Sequence, residues 1–269
     1  MKKLAMIILA ALLVAAFAGC TASEANDLTS INDYIAPSYT QKIPTGTLTF
    51  ADGVGETAII TDYVGLYTAH TVEVPAEIGG RAVVSIGKEA FYYCTAATSI
   101  TLPETVTKID DWAFAGCTGL ESITIPASVT SIGKGAFNGC TSLKTVVFEG
   151  NALVSIGDYA FNDCSALNDI TLPEGLVSIG TEAFRDCEAL ASVKAPSTLE
   201  TLGDMVFYGC TALNAEGAIA LSASITEIGE FAFTDINKLY ITAPEGSYAA
   251  EYVAAMRDFE ETETTEDAE

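Results

Sequence analysis

The chain has 269 residues, with 12 Lys plus Arg against 36 Asp plus Glu, and a formal net charge of -24. A surface this acidic repels phosphate backbones, which argues against a nucleic-acid partner. The chain contains one His, which excludes metal sites built from several histidines. Hydrophobic residues make up 49% of the chain, enough for a sizeable core in one long domain or two ordinary ones.

The N-terminus has the pattern of an export signal. Two lysines at positions 2 and 3 precede an apolar run over residues 4–17, and small residues then lead to Cys20. This run is shorter than the roughly 20 residues that a membrane-spanning helix needs, so residues 1–19 are predicted to be a signal peptide. The tetrapeptide Phe17–Cys20 resembles the lipobox of bacterial lipoproteins, which implies that Cys20 is lipidated and anchors the chain to the membrane.

The segment that follows the expected anchor is polar. Residues 20–46 are rich in Ala, Ser, Thr and Asn, which predicts a flexible tether. Removal of residues 1–19 takes away two Lys and changes the formal net charge from -24 to -26. We therefore expect an exported protein, attached through lipid to the bacterial cell envelope and exposed at the cell surface.

The other six cysteines recur at a nearly constant spacing. They are separated by 23, 23, 24, 23 and 23 residues, and they are Cys94, Cys117, Cys140, Cys164, Cys187 and Cys210. The clearest copy of the repeat is L-x-x-I-x-I-P-x-x-V-x-x-I-G-x-x-A-F-x-x-C, from Leu120 to Cys140. A fixed period of this length predicts a repeat architecture and not a disulfide framework.

The repeat predicts a solenoid of stacked coils. Its aliphatic alternation favours two short strands, and Ala-Phe-x-x-Cys favours a turn or a single helical turn. No coil can bury its apolar face alone, so coils stack and their strands form parallel sheets. The extra residue of the 24-residue step is expected in a turn or bulge near Gly150 and Asn151. Asp110 replaces the repeat's Gly, which suggests a left-handed backbone position there.

These repeats resemble leucine-rich repeats, and specifically the BspA-like repeats of bacterial surface proteins, through the phrase Ile-Gly-x-x-Ala-Phe-x-x-Cys with a downstream Leu-Pro. The resemblance implies a right-handed superhelix that is mostly short parallel strands and turns, capped at both ends. It divides the chain into an N-terminal β cap at 47–74, seven coils of about 23 residues at 75–238, and a C-terminal strand and helix at 239–256. Residues 257–269 form an acidic tail that is expected to be disordered.

The resemblance also implies a function. Many relatives are noncatalytic surface proteins, so we expect the solenoid to mediate protein–protein interaction or adhesion. A structural envelope spacer is an alternative, and a glycan-binding or enzymatic lipoprotein is a further one.

The repeat cysteines could be disulfides, zinc ligands or buried thiols. Neighbouring cysteines in parallel coils keep their Cβ atoms about 4.8 Å apart, beyond the preferred disulfide spacing of about 3.8 Å. The sequence has no C-x-x-C pair that would suggest zinc. We therefore predict a column of small buried thiols, with no metal and no cofactor.

The position before Ala-Phe is predicted to form a column on one edge of the solenoid. Large side chains there, with tyrosines further along the turn, form a candidate partner-binding strip: Trp112, Tyr159, Met205, Phe231, Tyr92 and Tyr208. The alternative is that these side chains tuck between coils. No catalytic residue is predicted, because the single histidine, His70, has no neighbouring nucleophile motif. The expected partners are a protein of unknown identity and the membrane, and the chain is expected to be a monomer.

Overall fold

The computed structural model describes residues 38–65, 70–215, 218–234, 236 and 240–256. The predicted signal peptide, Cys20, the first part of the tether and the acidic tail lie outside the described residues. The first strands, in chain order, are β1 (Ser38–Ile43), β2 (Gly46–Asp52), β3 (Thr57–Gly65), β4 (Thr71–Glu73), β5 (Glu77–Ile78) and β6 (Arg81–Ile86). They are followed by β7 (Ser99–Thr101), β8 (Lys108–Ile109), β9 (Ser122–Ile125), β10 (Ser131–Ile132), β11 (Thr145–Phe148), β12 (Ser155–Ile156), β13 (Asp169–Ile170), β14 (Ser178–Ile179), β15 (Val193–Lys194), β16 (Thr201–Leu202), β17 (Ile219–Ala220), β18 (Glu227–Ile228) and β19 (Ile241–Thr242).

Three antiparallel strands open the fold. β1 pairs with β2 and β2 with β3, and this meander then continues in parallel through β3 into β6. β1 and the turn after it lie within the range assigned to the tether, so that assignment extended too far. The polar sequence of β1 resembles a linker, but pairing with the edge of β2 satisfies its backbone, and Tyr39 packs at 5.3 Å from Phe50.

Parallel stacking organises the rest of the chain. The Val-x-x-Ile pieces join the cap strands in an 11-stranded sheet, ordered β1-β2-β3-β6-β8-β10-β12-β14-β16-β18 with β5 on β6. The Leu-x-x-Ile pieces form a 5-stranded sheet, β13-β11-β9-β7-β4, and a 3-stranded sheet, β15-β17-β19. The fold is therefore the predicted solenoid, because residues at equal repeat positions pair in register, as Ile132 does with Ile109 and Ile156.

The core is a set of columns, and the phenylalanine column is the largest. Consecutive rings are stacked with centroids 5.1–5.9 Å apart, and the residues are Phe91, Phe114, Phe137, Phe161, Phe184, Phe207 and Phe233. A tyrosine closes the column at each end: Tyr63 lies 5.2 Å from Phe91, and Tyr252 lies 6.3 Å from Phe233. Each hydroxyl donates to a backbone carbonyl, of Thr45 and Gly229 respectively, so each tyrosine ends the apolar column and keeps its polar atom paired.

A helix follows the last strand. α1 spans residues 248–256 and buries Ala249 and Val253. Ser247 caps it, because its hydroxyl accepts a hydrogen bond from the N–H of Ala250 at 3.2 Å. Among the described residues, no helix has the length and apolar character needed to span a membrane.

The repeat's glycine serves close packing, which corrects the left-handed interpretation of Asp110. Gly133 and Gly157 are not among the residues with positive φ. A Cβ on Gly157 would lie 2.8 Å from the backbone carbon of Gly133 and from the nitrogen of Lys134. Successive coils thus approach each other too closely here for most side chains. Asp110 has no positive φ either, and its carboxylate accepts a hydrogen bond from the N–H of Asp111 at 3.0 Å and lies 3.3 Å from Lys108 Nζ.

The extra residue of the 24-residue coil is absorbed outside the strands. β11 stays in register with β9 through the pair Phe148 and Ile125, and β12 pairs with β10 through Ser155 and Ser131. The extra length therefore lies in the bend near Gly150, as expected.

Candidate interaction surface

Each turn contains left-handed residues at fixed repeat positions. The residue two positions before the column phenylalanine has φ between 52° and 59° in every coil, and the residues are Glu89, Trp112, Gly135, Tyr159, Glu182, Met205 and Phe231. The residue before Cys forms a second left-handed column, made of Tyr93, Gly116, Gly139, Asp163, Asp186 and Gly209. Sequence reasoning missed both columns, because only some of these positions carry the glycine that usually marks such a conformation.

Hydrogen bonds between coils account for this conformation. The N–H of Trp112 donates to the carbonyl of Lys134 at 2.8 Å, and the N–H of Phe114 donates to the carbonyl of Ala136 at 2.7 Å. The N–H of Tyr159 makes the equivalent bond to Thr181 at 2.9 Å. The left-handed residue turns these donors toward the next coil, so the turns form a hydrogen-bonded stack of their own.

The predicted strip lies on the first left-handed column and the adjoining turn. Tyr92 and Phe231 are 50% and 58% exposed, whereas Trp112, Tyr159, Met205 and Tyr208 are half-buried. The side chains of the strip are therefore neither fully exposed nor tucked completely between coils. They are accessible, and they rest partly on neighbouring coils.

Two glycines hold the aromatic rings at the N-terminal end. The indole of Trp112 lies over Gly135, where a Cβ would overlap its six-membered ring. The ring of Tyr93 lies over Gly116, where a Cβ would come within 2.8 Å of it. Each ring rests on the bare backbone of the following coil, which restricts its motion and leaves the opposite side available.

Tyr159 and Tyr208 are covered by cations of the chain itself. Lys134 Nζ lies 5.1 Å from the centroid of Tyr159, and the guanidinium carbon of Arg185 lies 5.0 Å from the centroid of Tyr208. The carboxylate of Glu182 raises the pKa of Tyr159 above its ordinary value. These two tyrosines therefore belong to internal charge clusters as well as to the strip.

The aromatic cluster at the N-terminal end consists of Tyr92, Tyr93 and Trp112. The rings of Tyr92 and Tyr93 meet edge to face with centroids 4.5 Å apart, and Tyr93 is 62% exposed. A hydrogen bond with Tyr93 raises the pKa of Tyr92. Tyr92 and Trp112, with Glu89, line a notch of about 250 Å³. This end of the strip therefore presents two adjacent exposed rings beside a notch.

The cysteines lie in the interior, beside the phenylalanine column. Each thiol donates to the carbonyl of a phenylalanine in the preceding coil at 3.0–3.2 Å, and the donors are Cys117, Cys140, Cys164, Cys187 and Cys210. These five are buried and Cys94 is half-buried, and all six are free thiols. Burial raises the pKa of Cys164 and Cys187, and it raises that of Cys94 to about 11. A thiol serves here because it is small and apolar yet can donate one hydrogen bond.

A larger groove of about 470 Å³ lies elsewhere, and its lining includes Val147, Phe148, Leu172 and Lys194. It lies where the 5-stranded sheet gives way to the 3-stranded one and where the extra residue is inserted, so the irregularity of the fold accounts for it. The side chain of His70 is exposed, and its carbonyl accepts hydrogen bonds from Thr98 and Ser99. Within the described part of the chain, no group of three or more His, Cys, Asp or Glu side chains is placed to hold a metal ion.

Comparison with known proteins identifies the family. The model of the BspA type leucine rich repeat region matches residues 84–214 in six copies. The leucine-rich repeat protein of T. pallidum is 31% identical, and the match covers 95% of that protein and 80% of this chain with a TM-score of 0.64. The chain belongs to the BspA-type leucine-rich repeat family. Membership indicates a protein-interaction role, because repeat solenoids present extended surfaces suited to binding.

Two further comparisons involve longer proteins. A leucine-rich repeat protein from Bacteroides ovatus is 31% identical, and the match covers 74% of this chain and 57% of that one with a TM-score of 0.61. A leucine rich cell surface protein from Faecalibacterium prausnitzii is 26% identical over 80% of this chain and 56% of that one, with a TM-score of 0.53. The chain thus spans little more than half of these two proteins. A search of curated proteins found no match.

Proposed function

We propose that this protein is a noncatalytic, lipid-anchored surface protein that binds a protein partner through the aromatic strip. The observation that carries the proposal is the open cluster of Tyr92, Tyr93 and Trp112, in which Tyr93 rests on Gly116 and Trp112 rests on Gly135, each a glycine of the coil that follows the ring. Aromatic side chains dominate the energetics of protein interfaces, and rings that are already ordered lose little entropy on binding.

Two observations support export and anchoring. The segment Phe17–Cys20 resembles a lipobox and follows a signal-like apolar run. The F. prausnitzii relative is described as a cell surface protein. A single acyl chain binds a membrane only weakly and reversibly, so stable attachment requires more than one chain. The lipidated N-terminus of a lipoprotein supplies them.

Crosslinking on intact cells tests the partner. The full chain, with and without the double substitution Trp112→Ser and Tyr159→Ser, is crosslinked and its partners are identified by mass spectrometry. A matched control is Val147→Ser, which removes an apolar side chain that is 47% exposed on β11. We expect the double variant to lose a partner that the wild type and the control retain. Retention by a folded double variant contradicts the strip, and capture of nothing above background favours an envelope spacer.

A separate substitution tests the anchor. Cys20→Ala is expected to release the chain from the membrane fraction and to abolish the lipid mass on its N-terminal peptide. A variant that fractionates with membranes as the wild type does contradicts lipidation at this residue. The two experiments are independent, because a released chain can still bind a partner.

A further inference from the structure

The chain shows how its strip holds a cation. Arg185 Nη1 lies 2.9 Å from Glu182 Oε2, and its Nε lies 3.2 Å from Asp186 Oδ2. The same guanidinium group lies over the ring of Tyr208, with its carbon 5.0 Å from the centroid. Two carboxylates, one on each left-handed column, and an aromatic face thus bind one guanidinium group between them.

The repeat places the same carboxylate at the other end of the strip. Glu89 and Glu182 are 93 residues apart and occupy the same position, each left-handed, with φ of 58° and 54°. Tyr92 stands 93 residues before Arg185, so the coil of Glu89 carries an aromatic ring where the coil of Glu182 carries the cation. The next coil adds Trp112 in place of Met205. This end keeps the first carboxylate and lacks the arginine. Tyr93 stands where Asp186 does and Ala115 where Tyr208 does, so the aromatic walls here are Tyr92 and Trp112.

The space left beside the carboxylate has a suitable size. The notch lined by Glu89, Tyr92 and Trp112 measures about 250 Å³. That volume is enough for a guanidinium or ammonium group. Trp112 is fixed against Gly135, so one wall of the notch is already ordered.

The charges around the notch favour a cationic occupant. The chain carries 36 acidic residues against 12 basic ones, so a basic segment is attracted at long range. Among the described residues, Lys88 pairs with this carboxylate, and its Nζ lies 3.8 Å from Glu89 Oε1. These side chains are 66% and 52% exposed, so the contact is loose and an external cation can displace it.

We propose that this notch binds an arginine or lysine side chain of the partner, held between the carboxylate of Glu89 and the rings of Tyr92 and Trp112. The inference rests on the proposed function, and it adds that the partner presents a basic segment. A cation–π contact and an exposed ion pair each account for about a two- to fivefold change in Kd, so the notch supplies selectivity within a larger interface.

Trp112 provides the assay, since it is the only tryptophan of the chain. The full chain is titrated with N-acetyl-arginine methylamide, and in parallel with N-acetyl-citrulline methylamide, which has nearly the same shape without the charge. Ionic strength is held constant because surface electrostatics are screened by salt. We expect a saturable change in Trp112 fluorescence with the arginine probe and none with the citrulline probe. Equal responses to both probes overturn the proposal.

Substitutions separate the notch from the general acidity of the surface. Glu89→Gln is expected to weaken binding of the arginine probe by about threefold, and Lys88→Gln to strengthen it by a similar factor. The matched control Glu200→Gln, which removes the same charge from an exposed residue of another coil, is expected to leave binding unchanged. If Glu89→Gln and Glu200→Gln behave alike, the notch is not the site.

The outcomes also separate this inference from the proposed function. If a partner requires the strip but the arginine probe gives no response, the proposed cation site is wrong and the proposed function stands. A response at the notch with no partner captured on cells overturns the proposed function and leaves the cation site.

Discussion

Phe231 offers a direct test of the left-handed column. Its φ is 59° and its side chain is 58% exposed, so loss of the ring removes little buried contact. Substitution by Ala or by Gly removes the same ring, but only Ala keeps a Cβ, which costs about 1–2 kcal/mol in the left-handed region. Gly gives the unfolded chain extra freedom, which costs about 0.4–1 kcal/mol. We therefore expect Phe231→Gly to be more stable than Phe231→Ala by about 0.5–1 kcal/mol.

Val147 supplies the matched control. It is 47% exposed on β11, and it is not among the residues with positive φ. At an ordinary strand position Gly is destabilising by about 0.5–1 kcal/mol relative to Ala, so the order should reverse, with Val147→Ala more stable than Val147→Gly.

The free energy of unfolding is measured for all four variants of the full chain by guanidinium titration, with far-UV circular dichroism as the signal. The comparison within each pair reduces the influence of any departure from two-state unfolding. If Phe231→Ala equals or exceeds Phe231→Gly in stability while the Val147 pair follows the ordinary order, the left-handed column does not impose the strain that we assign to it.

Three further predictions concern the interior. Phe137→Ala removes a ring whose centroid lies 5.1 Å from those of both neighbouring phenylalanines. Guanidinium titration should show that the free energy of unfolding falls by about 3–5 kcal/mol. A fall below about 1 kcal/mol contradicts the stacked column. Alkylation without a reductant should label all six repeat cysteines in the unfolded chain and spare buried thiols such as Cys164 in the native one, and fewer than six labels would mean that some are paired. Burial raises the folded pKa of the Cys94 thiol to about 11, so the stability it contributes is complete below about pH 8.5, the unfolded value, and declines as pH rises toward 11. Titrations at pH 8 and pH 10 check this, and the decline should be smaller for Cys94→Ala.

The sequence predicts the solenoid because one local pattern fixes several levels of structure. The spacing of Cys117 and Cys140 equals one coil, and stacking at that spacing places equivalent residues in adjacent strands, as the pairing of Ile109 with Ile132 shows. The alternation of aliphatic residues determines which segments form strands. Stacking of equivalent aliphatic residues in columns then determines the register between neighbouring strands. The composition of β1 carries no such signal, so its place in the cap depends on the free edge of β2.

The candidate site was only partly predictable, because its properties arise between coils. The large residues of the strip are visible in the sequence, but their left-handed backbone is not, since Trp112 and Tyr159 are poor markers of that conformation. The cation–π contact between Arg185 and Tyr208 is predictable from the sequence, because the two residues are 23 apart and stacking brings residues at that spacing together. The same spacing predicts that Glu89 and Trp112 share a notch.

The left-handed column also explains how this fold can carry variable surface chemistry. The conformation is fixed by backbone N–H groups, such as that of Glu89, which donates to Asp111, and that of Met205, which donates to Glu230. These bonds do not involve the side chain, and the column accordingly holds Glu, Trp, Gly, Tyr, Met and Phe with nearly the same φ. Each residue other than glycine costs about 1–2 kcal/mol in this conformation, and the stacked core offsets the cost. Because the turn geometry does not depend on the side chain, a substitution such as Glu89→Gln can alter recognition without altering the fold.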